Sequence, residues 1–149
     1  MVSLSTPVCD FGWKAPDFSL PGVDGKNWTL ADAMGPNGLL VMFICNHCPY
    51  VKAIRARLVR DINELKQNGI HAIAVMSNDA TDYAEDSFEN MQSVARELSF
   101  PFPYVLDETQ QVAEVGADQE GRGTRRRHPH AAARQEFAPR FFRSSILLL

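Results

Sequence analysis

The chain has 149 residues, the size of one domain with a single hydrophobic core. Hydrophobic residues make up 45% and charged residues 22%, which excludes collagen-like, coiled-coil and wholly disordered proteins. Residues 1–116 hold 8 Lys and Arg against 15 Asp and Glu, whereas residues 117–149 hold 7 Arg against 3 acids. The acidic body does not attract a phosphate backbone, so we expect no nucleic acid partner.

The cysteine content and the start of the chain predict a cytoplasmic protein. Three cysteines are too few for a disulfide scaffold, and residues 1–18 have neither the basic segment nor the apolar segment of a secretory signal. The longest apolar run, Leu39–Cys45, is far shorter than the roughly 20 residues that cross a bilayer. We therefore expect no membrane attachment and a compartment in which thiols stay reduced.

The first predicted elements are a β-hairpin and a buried strand. Residues 15–30 contain two short alternating stretches around Gly22–Gly25, a turn sequence typical of hairpins. Residues 31–34 form at most one helical turn before the breakers of Gly35–Gly38. The apolar run Leu39–Ile44 then has the length of a strand that is covered on both faces.

A helix and a second strand follow. From Pro49 to Asn68 the apolar residues recur every three or four positions, which predicts one helix that ends at Gly69. Ile70–Ser77 is a second apolar run of strand length. These elements predict a right-handed βαβ unit with parallel strands.

Three shorter elements complete the predicted domain. Asp82 with Glu85 three residues later predicts the start of a second helix, which runs to Ser99. A short strand is predicted over Pro101–Asp107, and a short helix from there to Val115.

We divide the chain into a domain over residues 1–117 and an irregular, Arg-rich tail over residues 118–149. The tail has no strand period and no apolar stripe before its last residues, as expected of a disordered segment or an out-of-frame translation. Phe141–Leu149 is apolar but has no flanking turn signals, so we assign no element to it.

The motif Cys45-Asn46-His47-Cys48 lies where the predicted strand meets the predicted helix. Two cysteines at this spacing within a βαβ unit indicate a redox-active dithiol. The helix N-terminus and a protonated His47 both stabilise a thiolate, so we expect Cys45 to be the nucleophile, with a lowered pKa. Cys48, which we expect to be the more buried thiol, then resolves the mixed disulfide.

Several segments between about residues 10 and 117 match one known family: Ala15–Phe18, Asp24–Lys26, Thr29–Leu30, Leu40–Phe43, Cys45–Lys52, Ser77–Asp79, Glu85–Phe88, Phe102–Tyr104 and Asp107–Gln110. They resemble the redoxin branch of the thioredoxin-like superfamily, which holds thiol-specific antioxidant (peroxiredoxin-like) proteins and thioredoxin-like oxidoreductases. The resemblance implies an α/β fold with an N-terminal β-hairpin and a central mixed sheet flanked by helices. It also implies a Cys45/Cys48 dithiol that acts in disulfide exchange or peroxide reduction.

The same family continues with a Thr-Pro whose cis proline lies against the active disulfide, then a β-hairpin and a closing helix. Around residues 118–121 this sequence has none of them. We therefore expect the C-terminal strands and helix to be missing, as in a chain truncated or frameshifted after about residue 117.

Other interpretations of the cysteines remain open. They could be two buried structural thiols or half of a zinc site, but zinc needs two more ligands, and only Cys9, His47 and His71 are near candidates. A thiol peroxidase in which Cys45 forms a sulfenic acid is weakened because residues 41–44 offer no hydroxyl group to polarise a peroxide. A non-catalytic remnant is the third alternative.

The leading interpretation is an enzyme, a thiol-disulfide oxidoreductase that needs no cofactor and no metal. Its expected partners are protein or small-molecule disulfides or peroxides, together with a cellular thiol reductant.

Overall fold

The N-terminal hairpin is present as predicted in the computed structural model of the chain, which describes residues 14–113 and 146–148. Strand β1 (Ser19–Pro21) pairs antiparallel with β2 (Asn27–Thr29). Gly25 in the turn has φ 81°, a left-handed conformation that glycine adopts without strain. The short helix α1 (Leu30–Ala33) follows directly.

Within the described residues, the central sheet has four strands in the order β5-β4-β3-β6. Strands β3 (Gly38–Phe43), β4 (Ile70–Met76) and β5 (Tyr104–Leu106) are parallel neighbours, and β6 (Ile146–Leu148) runs antiparallel to β3. The predicted mixed sheet is therefore confirmed.

Strand β6 is a difference from the expectation for the tail. The sequence pattern predicts no element at these residues and no strand after β5, yet Ile146 to Leu148 pair with Met42 to Leu40 of β3. The segment that pairs with the backbone of β3 has three apolar residues and lies about a hundred positions away in the sequence. No local sequence pattern predicts such a pairing. The Arg-rich residues 118–145 and Leu149 lie outside the described residues.

Helix α2 (Pro49–Gln67) connects β3 to β4 and has Pro49 at its first turn, as predicted. Helix α3 (Phe88–Glu97) begins later than predicted. The Asp82 cap is wrong, because residues 84–86 form a 3₁₀ turn and Ser87 caps the helix by accepting a hydrogen bond from the Asn90 N–H.

The sheet separates two apolar clusters. Alternate residues of β4 point to opposite faces, so Ala72, Ala74 and Met76 join the cluster under α2 and α3, while Ile73 and Val75 join the cluster under the hairpin and α1. Burial on both faces fixes the carboxyl ends of β3 and β4, where the cysteine motif begins. No helix among the described residues is long and apolar enough to cross a membrane.

Candidate active site

Residues Cys45 to Cys48 form the loop between the end of β3 and the start of α2. The loop begins where the parallel pairing of β3 with β4 ends, at the hydrogen bond that the Ile44 N–H donates to the Val75 carbonyl at 3.0 Å. Both cysteines are free thiols. Cys48 occupies the N-cap position of α2, so one sulfur lies at the helix terminus and the other three residues before it.

The relative burial of the two thiols is the reverse of the expectation. Cys45 is buried, with 8% of its surface exposed, and Cys48 is only half-buried. Cys45 follows directly from a strand that is covered on both faces, whereas the N-cap of α2 reaches the protein surface. The prediction that Cys48 is the more buried thiol is therefore wrong.

Asp86 organises the loop from the opposite side. This carboxylate is fully buried, and its Oδ1 accepts hydrogen bonds from the backbone N–H groups of Asn46 at 2.7 Å and His47 at 3.1 Å. Its Oδ2 accepts from the Asn78 side-chain amide at 3.0 Å and lies 2.6 Å from Nδ1 of His47. One carboxylate thus holds the backbone of the motif at Asn46 and His47 and also the side chain of His47.

The Asn46 side chain forms a second set of contacts. Its Nδ2 donates to the Glu85 carbonyl at 3.0 Å, and its Oδ1 accepts from the Tyr104 hydroxyl at 3.2 Å. The Arg55 guanidinium donates to the Asn46 carbonyl at 2.8 Å. Asn46 is 4% exposed, so the second residue of the motif fixes the loop and does not face substrate.

His47 is directed towards Asp86 and Tyr83. Its ring stacks on the Tyr83 ring at a centroid distance of 3.8 Å and an interplanar angle of 4°. A His47 imidazole hydrogen-bonded to a buried carboxylate has its positive charge offset when it is protonated. It therefore stabilises a nearby thiolate less than a protonated His47 without such a partner would.

Burial raises the pKa of the Cys45 thiol to about 11, and the negative charges of Asp86 and Cys48 act in the same direction. The backbone N–H of Cys48 and the side-chain amide of Asn78 donate to the sulfur and oppose this shift. The expected lowering of the Cys45 pKa is therefore wrong, because burial outweighs the donors that the helix start provides.

We expect alkylation of Cys45 by iodoacetamide to increase about tenfold for each pH unit up to about 11, because only the thiolate reacts. A raised pKa leaves little thiolate at neutral pH, so the labelling midpoint lies well above the roughly 8.5 of a free cysteine. Mass spectrometry of the Cys45 peptide from reduced protein in EDTA measures the midpoint. A midpoint below that of a free cysteine would contradict the burial argument.

The structure does not bring every candidate residue to the dithiol. His71 lies at the start of β4, opposite Leu39, and lines a separate cleft of about 630 Å³ together with Trp28, Lys66 and Arg96. Cys9 lies outside the described residues. Of the further zinc ligands considered from the sequence, the described residues place His47 beside the dithiol and His71 away from it.

Sequence reasoning missed Asp86 and Asn78. Asp86 fell inside a predicted helix, where acidic residues suggest a solvated face, and Asn78 followed a strand without a recognisable motif. Both lie in segments that carry the family resemblance, Glu85–Phe88 and Ser77–Asp79, and that was the one signal that could have identified them.

The model of the AhpC/TSA family matches residues 11–128, a span that includes the whole site. The chain belongs to the AhpC/TSA family. The predicted membership of the redoxin branch of the thioredoxin-like superfamily is therefore confirmed. No curated protein matches the sequence.

Solved structures of other proteins share the fold. An uncharacterised conserved protein from Geobacillus kaustophilus is 45% identical with a TM-score of 0.72, over 77% of this chain and 61% of that chain. A hypothetical protein from Sinorhizobium meliloti is 32% identical with a TM-score of 0.65, over 77% and 60%. The chain thus spans about three fifths of the length of these two relatives.

The thioredoxin domain of a thiol-disulfide oxidoreductase from Bacteroides vulgatus is 21% identical over 77% of this chain and 75% of that chain. Its TM-score of 0.56 shows that the two chains share a thioredoxin-like fold. The family match and this neighbour agree on a thioredoxin-like fold.

Proposed function

We propose that this protein is a thiol-disulfide oxidoreductase in which Cys45 and Cys48 alternate between a dithiol and a disulfide. The observation that carries the proposal is the position of the two free thiols on one loop, with the Cys48 N–H and the Asn78 amide donating to the Cys45 sulfur. The AhpC/TSA family and fold neighbours named as thiol-disulfide oxidoreductases support the same chemistry.

In the proposed cycle, the Cys45 thiolate attacks one sulfur of a substrate disulfide and releases the other as a thiolate. The Cys48 thiolate then attacks Cys45 in the mixed disulfide, so the second substrate thiol leaves and the Cys45–Cys48 disulfide forms. Two electrons have passed from the protein to the substrate, and a cellular thiol reductant then reduces the Cys45–Cys48 disulfide. We expect the substrates to be protein or small-molecule disulfides and the compartment to be the reducing cytoplasm.

The two donors to the Cys45 sulfur are the reason for this order of attack. They stabilise negative charge on that sulfur both when it attacks and when it is the leaving group. The greater exposure of Cys48 favours the reverse order, and the two orders lead to mixed disulfides on different sulfurs.

Reduction of a protein disulfide, such as insulin with dithiothreitol as the electron source, tests the proposal. We expect Cys45→Ser and Cys48→Ser each to reduce turnover at least about 100-fold, because either change removes a sulfur that the cycle requires. Cys9→Ser is the matched control and should retain wild-type turnover. Equal turnover by all three variants would contradict a dithiol mechanism.

The AhpC/TSA family also raises peroxide as the alternative oxidant. A parallel assay of hydrogen peroxide consumption separates the two activities, because a thiol peroxidase forms a sulfenic acid and water before any disulfide. Peroxide consumption that exceeds insulin reduction would identify the peroxidase alternative.

A further inference from the structure

Three different metal-binding groups meet beside the dithiol. A Cys45 sulfur, a His47 ring nitrogen and an Asp86 carboxylate oxygen all lie within 4.8 Å of one another. Donor atoms around tetrahedral zinc lie about 3.3–3.8 Å apart, as calculated from bond lengths of about 2.0–2.3 Å. Shifts of about 1 Å or less in these side chains therefore bring all three onto one ion.

The chemistry of the three groups favours zinc over a hard cation. A thiolate and an imidazole are ligands of zinc and other borderline or soft metals, whereas calcium and magnesium prefer sites made of oxygen atoms. Cys48 lies three residues after Cys45 on the same loop but is not one of the three groups that lie within 4.8 Å of one another, so its side chain must turn towards the ion to supply a fourth ligand. Two thiolates, one imidazole and one carboxylate complete a tetrahedral set.

We propose that the reduced form of this site binds one Zn²⁺ ion through Cys45, Cys48, His47 and Asp86, and that a disulfide or peroxide that accepts two electrons from the two thiolates releases the ion as the Cys45–Cys48 disulfide forms. Binding displaces the thiol protons and forms zinc–sulfur bonds, so no oxidant or reductant is consumed. The disulfide has no thiolate that could bind zinc, so zinc binding depends on the redox state of the two cysteines. The regulatory part of this inference rests on the proposed disulfide exchange.

The negative charge of Asp86 would lie next to a zinc ion bound at His47. Its Oδ2 lies 2.6 Å from Nδ1 of His47, so a cation between them replaces the shared proton. This arrangement needs the carboxylate and leaves its Oδ1 on the backbone N–H groups of Asn46 and His47.

Zinc at this position would inhibit the proposed exchange reaction. A zinc-bound thiolate attacks a disulfide and reacts with alkylating reagents more slowly than a free thiolate does. The ion would thus hold the reduced protein in an inactive form until a chelator or an oxidant removes it.

The test uses the full chain with Cys9→Ser, reduced and stripped of metal, and titrates it with Zn²⁺ against a chromophoric chelator. We expect one equivalent bound by the reduced protein and at least about 100-fold weaker binding after oxidation to the disulfide. His47→Ala and Asp86→Asn should weaken binding about 10- to 100-fold, whereas His71→Ala, the matched histidine at the distant cleft, should not. Circular dichroism checks that each variant is folded.

Equal zinc binding by the reduced and oxidised proteins, or equal effects of His47→Ala and His71→Ala, would overturn the inference. The insulin assay in EDTA separates it from the proposed function. Normal turnover without zinc binding rejects the metal site alone. Zinc binding by the reduced protein without turnover in EDTA rejects the oxidoreductase and leaves the metal site.

Discussion

Replacing Asp86 by Ala should lower the free energy of unfolding by about 3–5 kcal/mol. The carboxylate is fully buried and accepts hydrogen bonds from two backbone N–H groups and the Asn78 amide, besides its contact with His47. Alanine leaves the Asn46 N–H buried without an acceptor and removes the acceptor of the partly buried groups of His47 and Asn78, and each buried donor without a partner costs about 1–3 kcal/mol. The sum is a large part of the stability of a domain of this size.

Urea unfolding followed by circular dichroism measures the effect, and Asp82→Ala is the matched control. Asp82 is an exposed aspartate of the same segment, so its replacement should change stability by less than about 0.5 kcal/mol. Similar losses in the two variants would show that the burial of Asp86 contributes little.

Asp86→Asn separates the charge from the shape of the side chain. The amide keeps one oxygen for the backbone N–H groups of Asn46 and His47 but places an NH₂ group against the Asn78 amide, so we expect an intermediate loss of stability. It also removes a negative charge that raises the Cys45 pKa, so the alkylation midpoint should move to lower pH. A purely structural role of Asp86 would leave that midpoint unchanged in protein that is still folded.

The elements that the sequence predicted are those specified by neighbouring residues. The hairpin turn at Gly22–Gly25, the apolar stripe of α2 and the apolar runs of β3 and β4 each follow from a pattern within about twenty positions. Their order along the chain then gives the parallel βαβ unit, and the cysteine motif lies at its junction. Local sequence patterns were therefore sufficient to predict where in the fold the cysteine motif lies.

The features that the sequence did not predict depend on residues far apart in the chain. Asp86 contacts Asn46 and His47 across about 40 positions, and β6 pairs with β3 across about a hundred. The high pKa of Cys45 has the same origin, since burial by the surrounding fold is its largest cause. Helix geometry alone suggested the opposite sign, because it counts the helix terminus and omits the cost of removing a thiolate from water.

Trapping of a mixed disulfide assigns the order of attack, with an expected result that is close to all or none. If Cys45 attacks, Cys48→Ser removes the sulfur that resolves the intermediate, and Cys45 stays bound to the substrate through a disulfide. Cys45→Ser removes the attacking sulfur, so it should give no such adduct at neutral pH. Both variants carry Cys9→Ser, so that each adduct identifies a single sulfur.

Non-reducing gel electrophoresis with a protein disulfide as substrate, followed by mass spectrometry of the joined peptides, identifies the bound cysteine. An adduct on Cys48 in the Cys45→Ser variant, with none in the Cys48→Ser variant, would reverse the assignment. The exposed N-cap thiol would then be the nucleophile, and the buried one would resolve the intermediate. In that case Cys45, with its pKa near 11, would supply the resolving thiolate, and release of the substrate should accelerate as the pH rises towards that value. With Cys45 as the attacking sulfur, formation of the adduct should accelerate over the same pH range instead.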